Sequence, residues 1–127
     1  MRLSENFSES EFACKGRSCC GGTAAVSMEL VSVLQAVRGY LGKPLRITSG
    51  FRCKVHNKAV GGAANSMHCR GWAADVVPPA GVSTQELAKC FEVALRAKEV
   101  SGGIIQYPGR NFVHVDVRRS KYRNTVR

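Results

Sequence analysis

Phe112-Val113-His114-Val115-Asp116-Val117-Arg118 is the stretch that decides how this chain folds. Side chains along a strand alternate between its faces, so Val113, Val115 and Val117 share one face while Phe112, His114, Asp116 and Arg118 share the other. The valine face belongs in a core. The opposite face is costly to bury unless a metal ion or a polar network satisfies its histidine and charges. One strand is thus expected to carry both core and site.

A second informative stretch lies upstream. Ser66-Met67-His68-Cys69-Arg70-Gly71-Trp72-Ala73-Ala74-Asp75 sets a histidine and a carboxylate seven residues apart across a glycine. On an unbroken helix this spacing would align the two side chains, but Gly71 and the following Val76-Val77-Pro78-Pro79 argue for a loop entering a short strand. Imidazole and carboxylate are a normal ligand pair for catalytic zinc, which takes three protein ligands and keeps one position open. His114 supplies the third, so His68, Asp75 and His114 form the candidate metal set, gathered by a small antiparallel sheet. Asp116, on the same strand face as His114, is the candidate general base. The other role open to it is to orient a ligand histidine or to pair with Arg118.

The remaining elements follow from periodicity and punctuation. Leu30, Val31, Leu34, Val37 and Leu41 recur at three and four, predicting a helix over 27–41 that is closed by Gly42 and Pro44. Leu45 to Thr48 reads as a short strand, and the turn after it presents Arg52, either an anion-binding residue or a solvated arginine. Residues 53–65, with Gly61-Gly62-Ala63-Ala64, read as a flexible surface loop in which His56 is structural or exposed. Ser83-Thr84-Gln85-Glu86 is a capping box opening a helix over 83–98, with Leu87, Cys90, Phe91, Ala94 and Leu95 on its buried face. Ile104-Ile105 makes a brief strand, and Tyr107 to Arg110 a turn. Residues 1–23 form an irregular lead-in pinned by Phe7 and Phe12, and residues 119–127 a basic, solvated tail.

With 127 residues the chain reads as a single α+β domain, a small mainly antiparallel sheet with helices packed on one face. Its 19 Lys+Arg against 9 Asp+Glu give a formal charge of +10, suited to a polyanionic partner. Nucleic acid is not expected, because no interleaved aromatic platform accompanies the charge. The start, Met1-Arg2-Leu3-Ser4-Glu5-Asn6, lacks the apolar run of a signal peptide, and no stretch is apolar enough to span a bilayer. Synthesis in the cytoplasm is therefore expected; a monomeric state is expected as well. The six cysteines (Cys14, Cys19, Cys20, Cys53, Cys69, Cys90) are expected as reduced thiols, with Cys69 and Cys90 as small buried hydrophobes. Cys14-x4-Cys19-Cys20 lacks paired Cys-x-x-Cys knuckles, which makes a structural zinc there the lesser of two readings.

The pattern Ser-x-His-x-x-Gly-x-Ala-x-Asp from Ser66 to Asp75, followed by a later strand histidine, resembles the M15 zinc peptidases. These are D-alanyl-D-alanine carboxypeptidases and peptidoglycan endopeptidases whose metal site is shared with the Hedgehog signalling domain. Phe7-x4-Phe12-x-Cys14, Lys43-Pro44-x-x-Ile47-Thr48-Ser49-Gly50-Phe51-Arg52, Asn57 with Gly61-Gly62, and Phe112 to Arg118 extend the likeness to the small phage and bacterial branch, over nearly the whole chain. The resemblance implies that His68, Asp75 and His114 bind Zn2+, that Arg52 holds substrate or transition-state oxygens, and that Ser66 supports the loop. It implies hydrolysis of peptidoglycan stem peptides or cross-links, in cell-wall lysis or remodelling, as carboxypeptidase or endopeptidase. A phage endolysin of this kind would reach the wall through a membrane pore. The alternative is a non-catalytic, zinc-bearing peptidoglycan-binding module. It is motivated by Asn111 and Phe112, which stand where larger relatives carry an acid or a second histidine shortly before the last ligand.

Overall fold

Alternation from Phe112 onward is realised as a central strand, β4 (Phe112–Asp116). In a computed structural model, which describes residues 1–127, β4 pairs antiparallel with β2 (Ala73–Val77) on one side and β3 (Gly103–Tyr107) on the other. Strand β1 (Arg46–Ser49) lies antiparallel beyond β2, and β5 (Tyr122–Thr125) lies parallel beyond β3. The resulting order is β1-β2-β4-β3-β5, a mostly antiparallel mixed sheet in an α+β domain.

Val113, Val115 and Val117 are buried with Ala74, Val76, Ile47 and Ile104 in the core. The helices α1 (Met28–Leu41) and α3 (Thr84–Ala97) cover this face, contributing Leu30, Val33, Leu34, Leu87, Phe91 and Leu95. Each such side chain contributes roughly 1.5–3 kcal/mol when fully withdrawn from water. Caps set the helix starts. Ser27 Oγ accepts from the backbone N–H groups of Glu29 and Leu30, and Ser83 with Glu86 forms the expected reciprocal capping box. Phe7 and Phe12 anchor the lead-in, each only 1% exposed. No helix is long and apolar enough to cross a membrane.

Three expectations are corrected. The segment 53–65 is not wholly loop: Lys54–Ala59 forms a short helix, α2, capped by Cys53 Sγ, which accepts from the His56 N–H. The basic tail is not merely solvated, because Tyr122–Thr125 adds the fifth strand. Arg123 fixes it there, donating to both Glu92 carboxylate oxygens at 2.7 and 2.9 Å and to the Gly102 and Ser101 carbonyls. Finally, Cys69 and Cys90 are half-buried rather than buried, and of the two only Cys90 packs against the core.

Candidate metal centre

Sheet register builds the site. Asp75 of β2 and His114 of β4 are direct cross-strand partners, on the face turned away from the helices. His68 arrives from a single 3₁₀ turn, Met67–Arg70, whose first N–H groups are oriented by Ser66; its Oγ accepts from His68 N at 3.1 Å. Gly71 then reverses the chain into β2 with φ at +72°, and a Cβ there would run into the Ala25 carbonyl. Any other residue would therefore strain the link between the two ligands.

The three donors converge on one point. Asp75 Oδ1 lies 3.2 Å from His68 Nε2 and 3.3 Å from His114 Nδ1. Tetrahedral zinc with bonds of about 2.0–2.1 Å holds neighbouring ligand atoms about 3.3 Å apart, so the spacing fits that ion. The tautomers fit as well. His68 Nδ1 lies 2.7 Å from the Gly50 carbonyl, which can only accept, so that nitrogen carries the proton and leaves the Nε2 lone pair free. His114 is set the opposite way, with Nε2–H donating to Asp116 Oδ2 at 2.7 Å and Nδ1 free. All three residues are buried to within 8% exposure, which shields the cluster from bulk water.

Without a metal the cluster is a coupled set of charges. In the metal-free protein burial pushes the Asp75 carboxyl up, but its contacts with the His114 and His68 rings outweigh this and hold the group well below the usual carboxylate range. Burial likewise disfavours a charged His114, yet Asp116 and Asp75 more than compensate and raise its pKa. The Tyr107 phenol is raised by burial and by the nearby Asp75 charge.

Asp116 sits behind His114 rather than in the groove. It is 0% exposed, and its oxygens accept from His114 Nε2 and from the Arg118 backbone N–H, Nε and Nη2 at 2.7–3.1 Å. Burial would raise its carboxyl, but these partners hold it well below its ordinary value. The base role expected for Asp116 has no route to water in the groove. Its surroundings match the orienting role instead.

Arg52 is braced at the site's edge. Nε donates to Ser49 Oγ at 3.1 Å, Nη1 to Asn57 Oδ1 at 3.1 Å, and Nη2 to Asp75 Oδ2 at 3.4 Å. Of five guanidinium N–H groups, two are left for a ligand. Asn57, 4% exposed, also donates to the Ala63 carbonyl and so fastens the loop after α2 beside the arginine.

Around the donors opens a groove of about 590 Å³, walled by Tyr107, Phe112, Arg110, Arg118 and Tyr122 opposite the loop at 60–68. Tyr107 stacks on Phe112 with centroids 4.3 Å apart, Arg110 lies over Phe112, and Arg118 over Tyr122. Apart from the three donors, the lining holds no Asp, Glu or His. Tyr107, Arg110 and Tyr122 were not among the residues singled out from sequence. Tyr107 pairs with Phe112 across the β3–β4 hairpin, so that register carried the signal. Tyr122 had none, because it enters with β5.

Comparison with known proteins agrees with this architecture. The family model described as peptidase M15 matches residues 5–116. The zinc D-Ala-D-Ala carboxypeptidase of Streptomyces albus G is 50% identical over 81 residues, which cover 61% of this chain and 29% of that protein. This chain therefore spans under a third of the relative's length. The crystal structure of the Serratia marcescens L-Ala D-Glu endopeptidase ChiX shares the fold, with a TM-score of 0.56 at 24% identity over 73% of this chain and 80% of that one.

Proposed function

The chain belongs to the peptidase M15 family, and from that premise we propose that it is a zinc-dependent peptidase acting on the stem peptides or cross-links of peptidoglycan. The observation that carries this reading is the convergence of His68 Nε2, Asp75 Oδ1 and His114 Nδ1 at 3.2–3.3 Å in the floor of a basic groove. Zinc held by these three would supply Lewis acidity, polarising a carbonyl and acidifying water by several pH units. The chain's own residues bind and orient. Arg52 directs its two remaining N–H groups to a substrate carboxylate or to the oxygen that gains charge during hydrolysis. Arg110 and Arg118 attract the carboxylates of an anionic peptide, while the Tyr107–Phe112 stack offers it an apolar wall. Asp116 keeps the His114 ring in the ligating tautomer and holds its proton at Nε2. Action at the cell wall, reached through a membrane pore as in a phage endolysin, is the setting that this activity and the positive charge suit.

A specific observation favours a second reading. The groove offers no acid or histidine beyond the ligands, and a peptidase needs a proton acceptor within reach of its water. A zinc-bearing module that binds stem peptides without cutting them meets no such need. Incubating zinc-loaded protein with purified muropeptides, followed by mass spectrometry, decides between the two. Released D-alanine, a split cross-link or a shortened stem, each lost with chelator and in His68→Ala, is the expected result. Full zinc occupancy with muropeptide binding and no new product would overturn the peptidase reading.

A further inference from the structure

On the side of the molecule where the lead-in meets α2, four sulfurs converge. Cys14 Sγ lies 3.9 Å from Cys19 Sγ and 3.9 Å from Cys53 Sγ, and Cys19 Sγ lies 3.8 Å from Cys20 Sγ. All four atoms fall within 4.8 Å of one another. Zinc–thiolate bonds of about 2.3 Å place tetrahedral sulfurs about 3.8 Å apart, whereas a disulfide holds its sulfurs about 2.0 Å apart. From this convergence we propose that Cys14, Cys19, Cys20 and Cys53 form a second, structural metal site, binding one zinc ion through four thiolates.

The surrounding chain is arranged for such a cluster. The loop from Cys14 to Thr23 is closed by a 2.8 Å hydrogen bond from Cys14 N–H to the Thr23 carbonyl, which turns Cys19 and Cys20 back toward Cys14. Gly16 passes so close that a Cβ would stand 2.6 Å from Cys19 Sγ and 2.9 Å from the His56 side chain. Cys53 Sγ accepts from His56 N–H at 3.4 Å, a contact that fixes this sulfur at the start of α2, turned toward Cys14. Lys15, Arg17 and Lys54 adjoin the cysteines in sequence and offset the net negative charge of four thiolates around one divalent ion. Without an ion, four thiols are brought together for no packing gain that fewer would not supply, since only Cys14 among them is buried. An all-sulfur tetrahedral set selects zinc or iron over harder cations. Each ligating thiol gives up its proton to solvent, so metal uptake is accompanied by proton release.

Cys53 is the ligand that ties the two halves of the molecule together. It follows Arg52 directly and comes 39 positions after Cys14. A metal there would fasten the lead-in to the start of α2 and hold the backbone that presents Arg52 to Asp75.

Metal content of the full chain, purified under reducing conditions from zinc-supplemented cells, is the test. Two zinc ions per chain are expected, falling to one in Cys20→Ser, to one in His68→Ala, and to none in the double variant. The cobalt-substituted unmodified protein should show intense near-ultraviolet thiolate-to-cobalt charge transfer, retained in His68→Ala and lost in Cys20→Ser. A mercurial thiol reagent added to the unmodified zinc protein should release half its zinc. The cobalt and mercurial readings need no cysteine variant to fold. One zinc per chain with no charge-transfer band would overturn the proposal, as would iron in the second position or an intact mass showing the four cysteines joined as disulfides.

Discussion

Asp116 is wholly enclosed, with His114 on one oxygen and the Arg118 backbone and guanidinium reaching both. Removing its charge while keeping its shape should therefore disturb the metal rather than the fold. Asp116→Asn is expected to weaken zinc binding roughly 10–100-fold, read by competition with a chromogenic chelator, whereas His68→Ala should abolish binding at the groove. Unchanged affinity in the Asn variant would remove Asp116 from the orienting role. A second consequence concerns protons. In the metal-free protein the His114 pKa is raised, so its protonation stabilises the fold fully below the unfolded value of about 6.5, and that contribution is lost as pH rises through the higher folded value. Zinc requires the neutral ring. The rise in Tm on adding zinc should consequently grow as pH climbs from below about 6.5 through the raised folded value of His114, and thermal melts with and without the ion across a pH series will show it.

Elements differ in how plainly their sequences announce them. The helices α1 and α3 carry apolar periodicity and serine caps, and β4 carries strict alternation, so their places follow from local pattern alone. The metal donors were legible for the same reason: alternation fixes the face of His114, and a turn-then-strand reading places His68 near Asp75. By contrast, α2 is six residues long with no apolar period and a cysteine for its cap, and β5 is a polar edge strand. Beyond its ladder to β3, β5 is tied down by the Arg123–Glu92 pair, whose members lie 31 positions apart, a distance no local window spans. Arg123 depresses the Glu92 carboxyl, so the pair is intact above the ordinary glutamate pKa of about 4.5 and lost as pH falls through the lower folded value. Both partners are partly exposed, which makes their contribution to global stability small. Glu92→Gln should speed amide exchange at 122–125 while leaving the denaturant midpoint nearly unchanged. Phe91→Ala, in the centre of the core, should instead cost about 3–5 kcal/mol in denaturant unfolding.

At the scale of the whole molecule, a formal charge of +10 and three arginines at the groove give association with an anionic polymer a long-range component. Screening shortens from about 10 Å at 0.1 M salt to about 3 Å at 1 M. Cleavage of intact sacculi should accordingly fall steeply over that range, and cleavage of a short soluble muropeptide far less; equal losses on both substrates would place the salt effect in the site itself. One feature of the sheet reaches further. Asp75 and His114 face one another only because β2 and β4 pair as they do, and a slip of one residue would turn Asp75 into the valine layer and send Ala74 to the groove. A misregistered chain cannot assemble the three donors. A zinc ion held by the three donors would therefore stabilise the native pairing of β2 and β4 and no slipped one.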